Sequence, residues 1–143
     1  QDIAITSGSF CSVEAYKKTD GFDDKMFIDS VDFDYCIQLR KKGYRIYRLN
    51  VEGLLHEVGH GRKVRILWRD FVAFNHSAFR NYHMARNDIY LTRKHSNKYN
   101  PIFRVITREL ISEYLIIFYE QDKISKLKAR WRGIKDAFKM PIS

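Results

Sequence analysis

Near residue 61 the chain changes its pattern, and that change limits what it can fold into. Up to that point the elements are short and mixed. Ile3–Thr6 reads as a strand, and Ser7-Gly8-Ser9 as a turn or close-approach loop. Ser12 caps a helix over Val13–Lys18. Thr19–Asp23 reads as a turn in which Gly21 suits positive φ and Phe22 plugs a core. A helix is predicted from about Asp32 to Lys42, with Tyr35, Cys36 and Leu39 on its apolar face and Gly43 as its stop. Tyr44–Leu49 alternates as a strand, Val51–His56 reads as another, and Gly59-His60-Gly61 breaks the pattern.

Beyond residue 61 the sequence shows only helical periodicity. One helix is expected from Ile66 or Asn75 through Lys94, one from Pro101 to about Tyr119, and one over Ile124–Phe138. The last carries the stripe Ile124, Leu127, Trp131, Ile134 and Phe138 within a dense basic flank. The expected fold class is therefore α/β over residues 1–61, followed by an all-α basic region over 62–143. No Gly-rich phosphate loop is present, so this chain shows no nucleotide-binding half of its own.

Charge follows the same division. Residues 1–56 hold eight Lys/Arg and nine Asp/Glu, whereas 57–143 hold eighteen and eight. The surplus behind the net charge of +9 lies in the helical region, which points that region toward an anionic partner. Nucleic acid fits poorly, because the cations surround an apolar stripe and no recognised module is present. An anionic membrane surface fits an amphipathic basic helix, and a helix packed on its own domain fits equally. The two cysteines, Cys11 and Cys36, have no metal-ligand spacing and read as reduced thiols of a cytoplasmic protein. No run approaches the roughly 18 apolar residues of a spanning helix.

Against this basic background, Asp29, Asp32 and Asp34 crowd into six residues at a helix start. The plain reading makes one an N-cap and another a first-turn acid. Crowding of like charges, and the apolar Phe27, Ile28, Val31 and Phe33 between them, point instead to a perturbed, partly buried site. His56, one helix and one strand later, lies where the chain can return to the same sheet edge and is a candidate metal ligand. Arg80, Tyr82, Arg86, Asn87 and Tyr90 fall on one predicted helix, with Tyr82, Arg86 and Tyr90 sharing a face, giving either contacts to an anion from the arginines or a packed helix with snorkelling arginines.

The run Ser7-Gly8-Ser9, Gly21-Phe22-Asp23, Met26 to Cys36, Leu39 to Ile46, His56 and Gly59 resembles the second half of family 2 glycosyltransferases, in their rhamnosyltransferase-like branch. The likeness continues more loosely through Arg80-Asn81-Tyr82 and Ala85-Arg86-Asn87. It implies an acceptor-side half of a GT-A fold and a sugar transferase using a nucleotide-diphosphate sugar. It also implies a saccharide or lipid-linked acceptor and a divalent cation, Mg or Mn. In that reading Asp32 is the base of an inverting transfer and His56 helps hold the metal. Ser7, Gly8, Asp29 and Asp34 bind or support the acceptor side, and Arg80 and Arg86 contact diphosphate or lipid. Gln38 stands where many relatives carry Arg. The implied setting is the cytoplasm, peripheral on the inner face of the cell membrane. A chain without the donor half is expected to be inactive alone. The alternative is a non-catalytic basic module that binds an anionic membrane or a polyanion.

Overall fold

The computed structural model describes residues 3–50, 61–96 and 101–142. Helix α1 (Val13–Lys17) is followed by a 3₁₀ turn (Asp24–Met26) and helix α2 (Val31–Lys41). Strands β1 (Arg62–Ile66) and β2 (Arg69–Ala73) then form an antiparallel hairpin, with Val64 opposite Phe71. Three longer helices close the chain: α3 (Ala78–Lys94), α4 (Ile102–Tyr119) and α5 (Lys123–Ala137).

Several ends sit where local chemistry puts them. Ser12 accepts the Ala15 N–H at the start of α1, and Ser77 accepts the Arg80 N–H at the start of α3. At the end of α2, Tyr44 N–H reaches Leu39 O at 3.0 Å while Gly43 takes φ +85°. That pairing with a left-handed glycine is a Schellman stop.

In coarse terms a mixed region leads into helices, but the sheet is not where the sequence pattern places it. Ile3–Thr6 and Tyr44–Leu49 are not strands: a strand needs a paired neighbour, and the described residues give these segments none. Residues 3–5 lie instead beside α2, where Cys36 Sγ exchanges contacts of 3.4 Å with the Ala4 N–H and carbonyl. The hairpin lies after residue 61, within a stretch read as wholly helical. Its alternation, Val64 and Ile66 against Lys63 and Arg65, is visible in the sequence. Its turn lacks the Asn-Gly or Asp-Gly signal, because Leu67 itself takes φ +54°. Helix α3 consequently begins at Ala78. Phe22 is likewise no core plug: it is 45 % exposed and packs from outside on the Tyr35 ring, 4.7 Å between centroids.

Two small apolar cores form. One gathers Met26, Ile37, Tyr90 and Leu91, with Val31, Phe33 and Met140 against it. The other joins the hairpin to α4 through Val64, Ala73 and Leu115. Between α3 and α5 the contact is of a different kind. Helix α5 turns Lys126, Ala129, Arg130, Gly133 and Ala137 inward, so its buried face is small and cationic rather than apolar. Arg130 pairs with Glu109 at 2.7 Å, and Lys126 pairs with Glu120 at 2.9 Å. Of the expected apolar stripe of α5, Ile124, Trp131 and Phe138 face outward, and Leu127 and Ile134 are half-buried.

Gly133 sets the spacing of α3 and α5. A Cβ there would lie 2.4 Å from the Tyr82 carbonyl oxygen and 3.1 Å from the Arg86 nitrogen, both backbone atoms. Gly133→Ala is expected to lower stability by about 1–3 kcal/mol, read as a lower urea midpoint, despite alanine's higher helix propensity.

Candidate functional site

The acidic stretch occupies the loop between the 3₁₀ turn and α2. Its backbone is unusual. Phe27, Asp29 and Ser30 all have positive φ, at 50°, 63° and 64°. Each such residue costs about 1–3 kcal/mol unless its surroundings hold it.

Helix α3 holds it. Asn87, fully buried, donates its side-chain amide to the carbonyls of Met26, Ile28 and Asp29 at 2.5, 2.6 and 3.0 Å. Two amide hydrogens serve three acceptors, so at least one hydrogen is shared. Arg86 orients that amide by donating Nε to Asn87 Oδ1, and donates Nη2 to Lys25 O at 2.7 Å. Ser30 donates to Asp88 at 2.6 Å, and Arg80 closes on Asp29 with bonds of 3.1 and 3.2 Å. Both arginines named as contacts to diphosphate or lipid are thus engaged by the loop.

The three acids have separate fates. Asp34 has no exposed surface. It accepts from His95 Nε2 at 2.7 Å, Lys94 Nζ at 3.1 Å and Gln38 Nε2 at 2.7 Å. Burial pushes its carboxyl up, but the bond from His95, the Lys94 charge and the Gln38 amide together outweigh burial, leaving it below the usual carboxylate range. Lys94 also meets Asp23 at 2.7 Å. Burial works against its charge, and the two carboxylates more than compensate, so its pKa is raised. Asp34 therefore sits as a support within the protein. Gln38, which also accepts the Asp20 N–H and donates to Gly21 O, ties the turn before the loop to α2.

Asp29 is fixed by Arg80. Asp32 stands in the first turn of α2, partly exposed, and its Oδ1 accepts only the adjacent Phe33 N–H at 3.1 Å. Ser30, not an aspartate, occupies the N-cap position. Among the described residues no cation engages Asp32, which leaves it as the acid of the three available to an outside group.

Ser7 and Gly8 form an exposed turn, with Gly8 at φ +70°, and make no bond to the acids among the described residues. His56, the proposed metal ligand, and His60 lie outside the described residues. Among the described residues no group of three metal-binding side chains gathers.

Two features escaped the sequence. One is the Asn87 clamp, although Arg86-Asn87 lies in the looser matching stretch. The other is an aromatic group beside the loop. Phe27, 73 % exposed, has its ring 5.7 Å from that of His83, which Phe79 meets edge-on at 4.6 Å. Burial first, then the Arg86 charge, hold the His83 pKa below its ordinary value, favouring the neutral ring. Asp88 differs from Asp34. Burial dominates there and lifts its carboxyl, with Arg108 at 3.0 Å and Ser30 offsetting only part.

With this geometry in view, the chain shows a relationship to the glycosyltransferases. The relative is a dTDP-rhamnosyl transferase, RfbF, of Shigella flexneri, 28 % identical over 126 residues, or 88 % of this chain. The matched part is 42 % of that protein, so this chain spans less than half of its relative's length. No family model matches the chain. No solved structure matches it.

The buried Asp34 network should register in stability against pH. The Asp34 pKa is lowered from an ordinary 3.8, so its contribution is full above that value and is lost as pH falls through the lower folded value. Asp34→Asn is expected to remove about 3–5 kcal/mol at neutral pH by leaving Lys94 and His95 underpaired. The gap from wild type should close in urea titrations as pH drops below the carboxylate range.

Proposed function

We propose that this chain is part of a sugar transferase that moves a rhamnose-like sugar from a nucleotide-diphosphate donor to a saccharide or lipid-linked acceptor, with inversion at the anomeric carbon. The observation that carries the reading is the isolation of Asp32. Of three crowded acids, Asp29 and Asp34 are committed to protein cations, and Asp32 is not. It is also held at the start of α2, where the helix dipole and free N–H groups favour a carboxylate. Likeness to a rhamnosyl transferase over 88 % of the chain extends into the helices, which favours an enzyme over a separate basic binding module.

In this reading Asp32 lies within hydrogen-bond reach of the acceptor hydroxyl. As the acceptor oxygen attacks the anomeric carbon, its proton passes to the Asp32 carboxylate. The carbon–oxygen bond to the diphosphate breaks, and the diphosphate leaves with the electron pair. One base suffices because no covalent intermediate forms; a hydrolase would call for two opposed carboxylates. Asp29 and Arg80 fix the loop's position, and Asp34 with Lys94 and His95 fixes the first turn of α2 behind the base. The strained Phe27 backbone presents a flat apolar ring at the loop's edge, which we assign to packing against the acceptor sugar.

A divalent cation, when bound, would offset charge on the departing diphosphate. Its proposed ligand here is His56. The described residues gather no group of three metal-binding side chains. The proposal places the remaining ligands and the donor site outside the described residues, and has this chain inactive by itself.

The test is made in the complete enzyme. Asp32→Asn should lower kcat by about 10²–10⁴-fold while donor binding and folding persist. Turnover close to wild type would sink the base assignment. Phe27→Ala should raise the acceptor KM more than it lowers kcat. An unchanged acceptor KM would remove Phe27 from the acceptor site.

A further inference from the structure

Helix α5 is inverted relative to an ordinary surface helix. Its small and cationic residues face inward, and three of its large apolar residues point away from the protein. Ile124, Trp131 and Phe138 are 72 %, 60 % and 63 % exposed. They recur every seven residues, two helical turns, and so form a single row along the outside of the helix. An open groove runs beside this row, lined by Ile124, Leu127, Lys128, Trp131, Arg132 and Lys135.

The charge next to the row is of one sign. Lys128, Arg132 and Lys135 are exposed along one border of it. Among the described residues Lys128 and Lys135 take part in no ion pair, and Arg132 lies over the Tyr82 ring at 5.0 Å. The buried cations Lys126 and Arg130 are neutralised internally by Glu120 and Glu109. Lys128 and Lys135 therefore remain for an outside anion, while Arg132 also acts on Asp136.

We propose that this face docks α5 in the plane of an anionic lipid bilayer. Trp131, Ile124 and Phe138 would enter the boundary between headgroups and acyl chains, and Lys128, Arg132 and Lys135 would meet lipid phosphates. Helices that lie in the interface combine an apolar row with a basic border in this way. No described helix is long and apolar enough to cross the membrane, so α5 lies on the surface. A polyanion such as nucleic acid would use the cations but gain nothing from an aliphatic and aromatic row. A second copy of the chain would have to bring three cations against three cations if the face paired with itself. The proposal rests on α5 alone and does not depend on the assignment of Asp32.

The test uses the 143-residue chain with Trp68→Phe, which leaves Trp131 as the single indole. It is mixed with phosphatidylcholine vesicles, with and without phosphatidylglycerol. Expected are co-sedimentation with the anionic vesicles only, a blue shift of Trp131 emission, and weakening with added salt. Lys128→Gln with Lys135→Gln should lower the apparent affinity about 25-fold, taking about fivefold for each cation. In the chain that retains Trp68, Trp131→Ala should lower it further without changing the fold, since the side chain is largely exposed. Three results would overturn the proposal. The first is no binding to anionic vesicles. The second is vesicle or heparin binding that loses nothing on Trp131→Ala. The third is a concentration-dependent dimer, seen by sedimentation, that buries Trp131 without lipid.

Discussion

The amide of Asn87 bears more of this structure than any apolar contact does. Three carbonyls of a loop with left-handed backbone at Phe27, Asp29 and Ser30 converge on one buried side chain of α3. A loop of non-glycine residues does not hold such a shape unaided. Removing the amide would leave the part-buried Ile28 and Asp29 carbonyls without this donor, each costing about 1–3 kcal/mol, while Met26 O keeps the Ile28 N–H. The apolar cluster of Met26, Ile37, Tyr90 and Leu91 then sits directly around the clamp, so loop geometry and core packing depend on one another.

From that clamp follows the sorting of the acids. Once α3 is fixed against the loop, Lys94 and His95 at its end reach Asp34, and Arg80 near its start reaches Asp29. Asp32 lies between them in the chain, and α3 supplies it with no cation. Crowded carboxylates repel one another, and the fold relieves this by neutralising two of them. The same clamp that orders the loop leaves Asp32, among the described residues, without a cation partner, which is the state the proposed base requires.

Charge in the helical half divides in a similar way. Its surplus of cations looks uniform along the sequence, yet Lys94, Lys126 and Arg130 are interior residues with carboxylate partners. Of the cations that remain outside, Lys128, Arg132 and Lys135 border the apolar row of α5. Which cations face outward depends on Gly133, whose bare backbone lets α5 approach α3 on its small-residue face.

Much of this was readable from the chain. Ser12, Gly43 and the acids of α2 announce their helix ends, because capping is chemistry of adjacent residues. The matching residues around Asp32 pointed to a glycosyltransferase relationship ahead of any coordinates, and the 28 % identical relative supports that much. The hairpin was missed because Leu67 makes its turn without the usual residues. The strands expected at Ile3–Thr6 and Tyr44–Leu49 find no partner among the described residues, and a strand is defined by a partner that local sequence does not supply; the one expected at Val51–His56 lies outside the described residues. Periodicity marked the stripe of α5 but not its direction, since an amphipathic pattern says which residues share a face and not which face is covered. The sequence by itself determined the cap of α1, the stop of α2 and the cluster of acids, all of them interactions within a few residues. Only tertiary structure decided which acid stays unpaired, which loop is held in strain and which side of α5 looks outward, because each turns on groups brought together from more than forty residues apart.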